Sequence, residues 1–185
     1  MKKKPTIHKT KIVASSQLIN IEAVDLEFSN GEKRVYERIA SRGNGAVLII
    51  PILTKSSGNE ILLIREYCVG TERYELGFPK GKVEAGEEVL HAANREIMEE
   101  VGYQAEKLTL LKKLSLAPGY MGHLTHIILA ENLSERREEG DEPEELEVVP
   151  WKVSEIDTLL GRDDFAEGRS VAALYLMKNH LQTNY

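Results

Sequence analysis

The sequence predicts an α/β fold, a mixed β-sheet sandwiched between helices. Three observations carry this. Segments rich in β-branched and aliphatic residues stand on both sides of one amphipathic helix, two further helical segments close the chain, and no internal repeat occurs. The 185 residues, 42% hydrophobic and 29% charged, suit one ordinary globular domain with a short N-terminal elaboration and exclude disordered or fibrous chains.

The elaboration, residues 1–42, begins with Lys2, Lys3, Lys4, Lys9 and Lys11 ahead of the first acid, Glu22, and reads as a solvated basic arm. Val24, Leu26 and Phe28 then alternate with Asp25 and Glu27, and Asn30-Gly31 supplies the turn of a hairpin that returns through residues 33–39. Residues 43–185 form the main domain. Residues 46–53 and 60–67 are strands separated by the turn cluster 55–59, and the first lacks polar alternation, so both its faces are expected to be buried. Gly77-Phe78-Pro79-Lys80-Gly81 and Ala85-Gly86 mark a loop, residues 87–101 a helix, and Gly102 its C-terminal stop. Residues 108–116 and 124–133 read as strands. After an acidic loop come a short strand near 148–151, anchored by Trp151, and helices at 154–160 and 170–181.

Charge narrows the function classes. The net charge, 24 − 30 = −6, argues against a nucleic-acid backbone as partner, because such binding needs a positive surface. Residues 134–147, Ser-Glu-Arg-Arg-Glu-Glu-Gly-Asp-Glu-Pro-Glu-Glu-Leu-Glu, hold eight acids and two bases, so the acidity is concentrated. No run of eighteen apolar residues exists and residues 1–15 contain no signal-peptide core, so neither a membrane span nor secretion is expected. Cys68, the single cysteine, has no disulfide or CxxC partner, which points to a reducing compartment, the cytoplasm.

The central helix carries the chemistry. At 100° per residue, with Glu96 at 0°, Glu100 falls at 40° and Glu99 at 300°, beside a buried stripe of Leu90, Ala93, Ile97 and Val101. Carboxylates at i and i+4 repel, and acids in the last turns oppose the helix dipole. A hard divalent cation reverses both penalties. Taken alone, such a face is more often the solvated side of a surface helix. His91, His123 and His126 lie outside the acidic stripe and are read as structural or solvent-facing.

The wider spacing removes that ambiguity. Gly81, five residues, Glu87, seven residues and Arg95-Glu96-Ile97-Met98-Glu99-Glu100-Val101-Gly102-Tyr103 form one pattern over residues 81–103. It resembles the Nudix box, Gly-x5-Glu-x7-Arg-Glu-U-x-Glu-Glu-x-Gly-U, with U a bulky apolar residue. Seven fixed Gly, Glu or Arg positions, each at about 6% usage, agree by chance on the order of 10⁻⁹ per start position. Tyr103 is the one soft position. The resemblance implies an α/β/α sandwich, a loop-helix-loop motif and hydrolysis of a nucleoside diphosphate linked to another moiety. It also implies roles: Glu96 and Glu100 as metal ligands, Glu99 as ligand or base, Glu87 as their support, and Arg95 as organiser of the glutamates. The implied cofactor is Mg²⁺, or Mn²⁺ in its place.

Further stretches resemble the ADP-compounds hydrolase branch of that family, which is similar to ADP-ribose pyrophosphatases: residues 24–31, Arg65-Glu66-Tyr67, Val69-Gly70-Thr71-Glu72, residues 74–78 and Gly140-Asp141-Glu142-Pro143-Glu144. Pro118 stands where ADP-ribose members carry a proline, about sixteen positions past the box. Asp141-Glu142-Pro143-Glu144 resembles their catalytic loop, which implies Glu142 as the base and Glu144 as an extra metal ligand. Arg42, Arg65 and Pro118 are implied substrate contacts, and residues 1–42 a segment that builds a homodimer and the adenosine pocket. Two departures matter. Cys68 replaces the second arginine that follows Arg65 in relatives, and Lys80 replaces a small residue, so that Phe78-Pro79-Lys80-Gly81 resembles diadenosine-polyphosphate hydrolases instead. Lys80 is therefore a candidate phosphate contact. The expected activity is Mg²⁺-dependent cleavage of ADP-ribose, NADH or short dinucleoside polyphosphates to AMP and the other phosphorylated half. The alternatives are a diadenosine-polyphosphate or nucleoside-triphosphate pyrophosphatase, and a non-catalytic nucleotide-binding module of the same fold.

Overall fold

The structure, a computed structural model, describes residues 2–40 and 43–184 and divides into two units. The first, residues 1–42 with 115–124, contains an antiparallel sheet in the order β1-β2-β3, formed by β1 (Thr6–Ser15), β2 (Asn20–Glu27) and β3 (Lys33–Ile39). The hairpin of β2 and β3 turns at Gly31, whose φ of +83° suits a residue without Cβ. The basic arm expected to be a solvated tail is in large part a strand. Thr6-Ile7-His8-Lys9-Thr10-Lys11-Ile12-Val13 is dense in β-branched residues, and it pairs with β2 from Thr6↔Glu27 to Ser15↔Asn20 with two register shifts. Its charges stay in solvent along an edge strand, where lysine discourages further pairing. The segment 115–124 joins this unit through the Ile39 amide, which donates to the Tyr120 carbonyl at 2.8 Å.

The second unit is built on a seven-stranded mixed sheet. Its strands and helices in chain order are β4 (Ala46–Lys55), β5 (Gly58–Cys68), β6 (Arg73–Gly77), β7 (Lys80–Lys82), α1 (Val89–Glu100), β8 (Tyr103–Ser115), β9 (Leu124–Glu135), β10 (Glu147–Lys152), α2 (Ile156–Leu160) and α3 (Gly168–Asn184). The main order is β10-β5-β4-β9-β8, with β6 on β5 and β7 on β4. β4 is buried on both faces, as its unbroken apolar run predicts. Its alternate residues feed two cores. Leu48, Ile50 and Ile52 pack with Leu159, Leu174 and Met177 from α2 and α3, while Val47 and Ile49 pack with Ala92, Ala93 and Ile97 from α1. The sheet is thus the middle layer of an α/β/α sandwich.

One edge of β4 changes partner along its length. It pairs with β7 at Ala46–Leu48, the Ile49 amide donates to the Pro79 carbonyl at 2.9 Å, and pairing with β5 begins at Ile52. Pro51 falls in the gap, where no amide donor is needed. The segment around residues 77–81, read as a plain loop, is therefore strand at both ends, in β6 and β7. Leu90, placed in the buried stripe of α1, is 42% exposed, because the helix rotates its other edge inward. α1 ends as expected: Gly102, at φ +79°, donates to the Ile97 carbonyl at 3.0 Å. His126 is buried with Nδ1 3.2 Å from the Ala46 carbonyl, and His91 is exposed. Trp151 packs on the core beside α2, its indole N–H donating to the Glu155 carbonyl at 3.0 Å. Among the described residues no helix is long and apolar enough to cross a membrane.

Candidate active site

Seating α1 on the sheet turns the edge of its acidic face inward. Glu96 and Glu100 are only 8% and 6% exposed. Both lie against β7, and the close approach depends on Gly81. A methyl group there would stand 2.0 Å from Cδ and Oε1 of Glu96. The next residue back completes the contact, as the backbone amide of Lys80 donates to Glu100 Oε2 at 2.9 Å. The Lys80 ammonium turns the other way and pairs with Glu66 of β5.

Arg95 organises the remaining acids. Its Nε and Nη2 donate to Oε1 and Oε2 of Glu87 at 3.0 and 3.2 Å, a forked contact, and Nη2 also reaches the Lys82 carbonyl at 3.1 Å. Nη1 lies 3.0 Å from Glu99 Oε2 and 2.8 Å from Glu96 Oε1. One guanidinium therefore joins three carboxylates and the backbone of β7. Glu87 also accepts from the Glu84 amide at 2.9 Å.

The electrostatics follow from burial. Desolvation pushes the Glu96 carboxyl up to about 7 against the pull of Arg95, and the Glu100 carboxyl up to about 8 against the pull of Lys80. Glu87 moves oppositely, held at about 2 by the hydrogen bonds from Arg95. Burial, then Glu66 and Asp141, raise Glu142.

The acidic segment lies across this face. Its start is tied to the end of α1 by the Arg136 amide, which donates to Gly102 O at 3.0 Å, and by the Glu138 amide, which donates to Met98 O at 3.2 Å. Gly140 packs against Glu99, with room for little more than hydrogen: a methyl would meet Cβ at 3.3 Å. Glu144 accepts from the Tyr74 hydroxyl at 2.8 Å, and Glu147, where β10 begins, accepts from Arg65 Nε at 2.9 Å. Two clefts of about 560 Å³ result. One separates Glu96, Glu99 and Glu100 from residues 137–146, and the other runs between Lys80–Lys82, Arg95 and residues 139–142.

The donor set fits a hard divalent cation: carboxylate oxygens only, two of them buried with raised protonation and so in need of positive charge, and one seated over glycine. Among the described residues no three His, Cys, Asp or Glu side chains are drawn together around a point, and Arg95 occupies an oxygen of both Glu96 and Glu99.

Of the residues singled out in the sequence, Glu96, Glu99, Glu100, Arg95, Lys80, Glu142 and Glu144 all line these clefts. Arg65 lines neither. Its guanidinium is committed to Glu147 and, at 2.9 Å, to Asp164, so it ties the end of the acidic segment to the loop before α3. Pro118 belongs to the first unit, in an apolar pocket of about 290 Å³ with Phe28, Tyr36 and Tyr120. Arg42 lies outside the described residues. Sequence reasoning missed Glu66 and Tyr74 as partners of Lys80 and Glu144. The period-2 pattern of Arg73-Tyr74-Glu75-Leu76, strand β6, was a signal for Tyr74, whereas Glu66 on β5 offered none before the fold brings Lys80 beside it.

A sandwich whose first helix buries two glutamates beneath a glycine strand defines a class of protein, and comparison with known families agrees. The NUDIX domain matches residues 44–174, and the NudE-type Nudix hydrolase N-terminal domain matches residues 5–38. The chain belongs to the Nudix hydrolase family, whose members generally need divalent metal ions. Within it, the chain is a close homologue of the ADP compounds hydrolase NudE of Escherichia coli K12, 50% identical over 179 residues that cover 97% of this chain and 94% of that one. A crystal structure of an ADP compounds hydrolase superposes with a TM-score of 0.91 at 49% identity, covering 99% of this chain and 97% of the other. The ADP-ribose pyrophosphatase of Bacillus subtilis 168 is 30% identical over 175 residues, 94% of this chain and 91% of its own.

Proposed function

We propose that the protein hydrolyses the diphosphate bond of ADP-linked compounds, ADP-ribose, NADH and short dinucleoside polyphosphates among them, releasing AMP and the other phosphorylated half. The observation that carries this reading is the burial of Glu96 and Glu100 against β7, opposite an acidic segment, in a chain that matches an ADP compounds hydrolase along nearly its whole length.

Glu96 and Glu100, with Glu99 and Glu144, would hold Mg²⁺, or Mn²⁺ in its place, and a bound ion supplies neutralisation of the diphosphate oxygens and a more acidic water. The protein groups do the rest. Arg95 fixes the carboxylates through its shared hydrogen bonds, so the site is ordered before substrate arrives. Glu142, raised by burial, accepts the proton of the attacking water as its oxygen bonds to phosphorus and the bridging P–O bond breaks. Glu99 is the competing candidate for that proton. Lys80, on the rim of the second cleft, is the cation that a substrate phosphate would reach there. Residues 1–42 are proposed to build a homodimer and the adenosine pocket, with Pro118 as a substrate contact. The protein acts in the cytoplasm on free nucleotides.

The test is AMP release from ADP-ribose, NADH, diadenosine triphosphate, ADP-glucose and dATP with Mg²⁺, beside Glu100→Gln. Release from several ADP compounds by the wild type and none by the variant is expected. Cleavage of dATP alone would move the protein to the triphosphate pyrophosphatases. Tight ADP-ribose binding without AMP would make it a binding module.

A further inference from the structure

We infer that Glu66 is a specificity-determining counter-ion, which holds the Lys80 ammonium and so disfavours substrates carrying phosphates beyond the diphosphate that is cleaved. The inference rests on the function proposed above and adds to it a residue outside the Nudix box and a preference among substrates.

Glu66 of β5 stands in register opposite Glu75 of β6. Carboxylates facing each other across an antiparallel pair repel, and here each has its own cation. Glu75 receives Arg73, with Nε at 2.8 Å and Nη2 at 3.3 Å, and Glu66 receives Lys80. Lys80 comes from β7, which pairs with β4 and not with β5, so the ion pair bridges the place where the sheet divides.

The position of each partner matters. Lys80 lines both the cleft beside Arg95 and Glu96 and a small void shared with Glu66, Cys68 and Glu75, whereas Glu66 lines only the void. Their side chains are 23% and 31% exposed, so the pair is partly shielded from water and stronger than a surface ion pair. Arg95 is spent on Glu87, Glu96 and Glu99. A phosphate approaching Lys80 therefore meets a neutralised pair instead of a free ammonium. The two phosphates of an ADP-linked compound would meet the cation that Glu96, Glu99 and Glu100 would hold, and a phosphate beyond them gains most from a cation of the protein itself. Glu66 removes the gain such a phosphate would draw from Lys80.

The test compares wild type, E66Q, K80M and the double variant. KM and kcat are measured for ADP-ribose and diadenosine tetraphosphate, and calorimetry with Mg²⁺ measures binding of inorganic pyrophosphate and tripolyphosphate. E66Q should lower KM for the tetraphosphate roughly tenfold relative to ADP-ribose and tighten tripolyphosphate by a similar factor. In the K80M background the same substitution should change neither ratio. An unchanged ratio in E66Q, or a shift that persists without Lys80, would overturn the inference. Should E66Q fail to fold, Glu66→Asp, which withdraws the charge by one methylene, should shift both ratios in the same direction. If the wild type releases no AMP from either nucleotide the functional reading falls, while the two inorganic anions still decide the role of Glu66.

Discussion

Gly81 and the carboxylate of Glu96 occupy adjoining space with no room for a methyl group between them. What such a methyl would strike is the far end of a flexible side chain, and Gly81 does not have a positive φ. Gly81→Ala should therefore move the carboxylate and spare the fold. The expected result is a loss of AMP release on the order of a hundredfold with stability within about 1 kcal/mol of wild type by urea denaturation. Full activity in the alanine variant would show that the Glu96 position is not critical.

Arg95 is a fork, and lysine cannot reproduce it. Arg95→Lys keeps one charge while losing the contacts that join Glu87, Glu96 and Glu99. It should cost about 1 to 3 kcal/mol in stability and roughly tenfold or more in kcat/KM, both readable on one purified variant.

Protons and metal compete for the same buried oxygens. Glu96 and Glu100 are raised above the ordinary carboxylate range by burial, to about 7 and about 8. Metal binding needs the deprotonated forms, so at limiting Mg²⁺ activity should rise with pH between about 6 and 9, and the midpoint should fall as Mg²⁺ increases. Stability takes the opposite sign. A carboxyl whose folded pKa is raised binds more protons when folded, so its contribution is full below the unfolded value and lost as pH rises through 7 to 8. The metal-free protein should accordingly melt at a lower temperature at pH 9 than at pH 6, and added Mg²⁺ should erase the difference. A melting temperature that rises with pH in chelator would contradict this.

In the acidic segment, Glu142 and Glu144 should separate by phenotype. Glu142→Gln is expected to depress kcat by at least a hundredfold at every Mg²⁺ concentration, as for a lost base. Glu144→Gln should be rescued in part by excess metal. Tyr74→Phe, which removes only the hydroxyl that donates to Glu144, should resemble a mild Glu144→Gln. Equal defects in the Glu142 and Glu144 variants would reassign the proton acceptor.

Asp164 is held well below the usual carboxylate range by the hydrogen bonds from Arg162 and then Arg65. A lowered carboxylate contributes stability above its unfolded pKa and loses it as pH falls through the folded one. Asp164→Asn should reduce the melting temperature at pH 7, and the gap to wild type should close as acid protonates the native carboxylate. A constant gap down to pH 2 would exclude the ion pairs as its cause.

How much of this was legible in the sequence depends on the range of the interaction. The helix, its glycine stop and the fully buried strand β4 are local patterns, and residues 87–102 and 46–53 declare them. The Gly81-to-Tyr103 spacing named the acidic face because the box is one continuous stretch of chain. Strand β1 was hidden behind its lysines, whose charge looked like a tail although the β-branched residues between them pair with β2. Arg65 shows the other limit. Its type suits phosphate, but its partners Glu147 and Asp164 lie 82 and 99 residues away, and only the folded chain brings them to it. Glu66 escaped for the same reason, since a carboxylate on a strand announces nothing until Lys80 arrives from another branch of the sheet.

Pro51 gives the innermost strand a seam. Before it, β4 carries the strand that holds Glu100 and cradles Glu96, and after it, β4 carries the hairpin to β5. Without an amide at that point Pro51 donates no ladder bond, and the ion pair of Lys80 with Glu66 is what links β7 to β5 across the gap, so the chemistry and the scaffold hang on different lengths of a single strand. The turn at Ser56-Ser57 lies wholly on the scaffold side. Insertions there lengthen a hairpin and leave the glutamates where they are, which makes it a place where family members can diversify, or a tag can be grafted, without retuning the reaction.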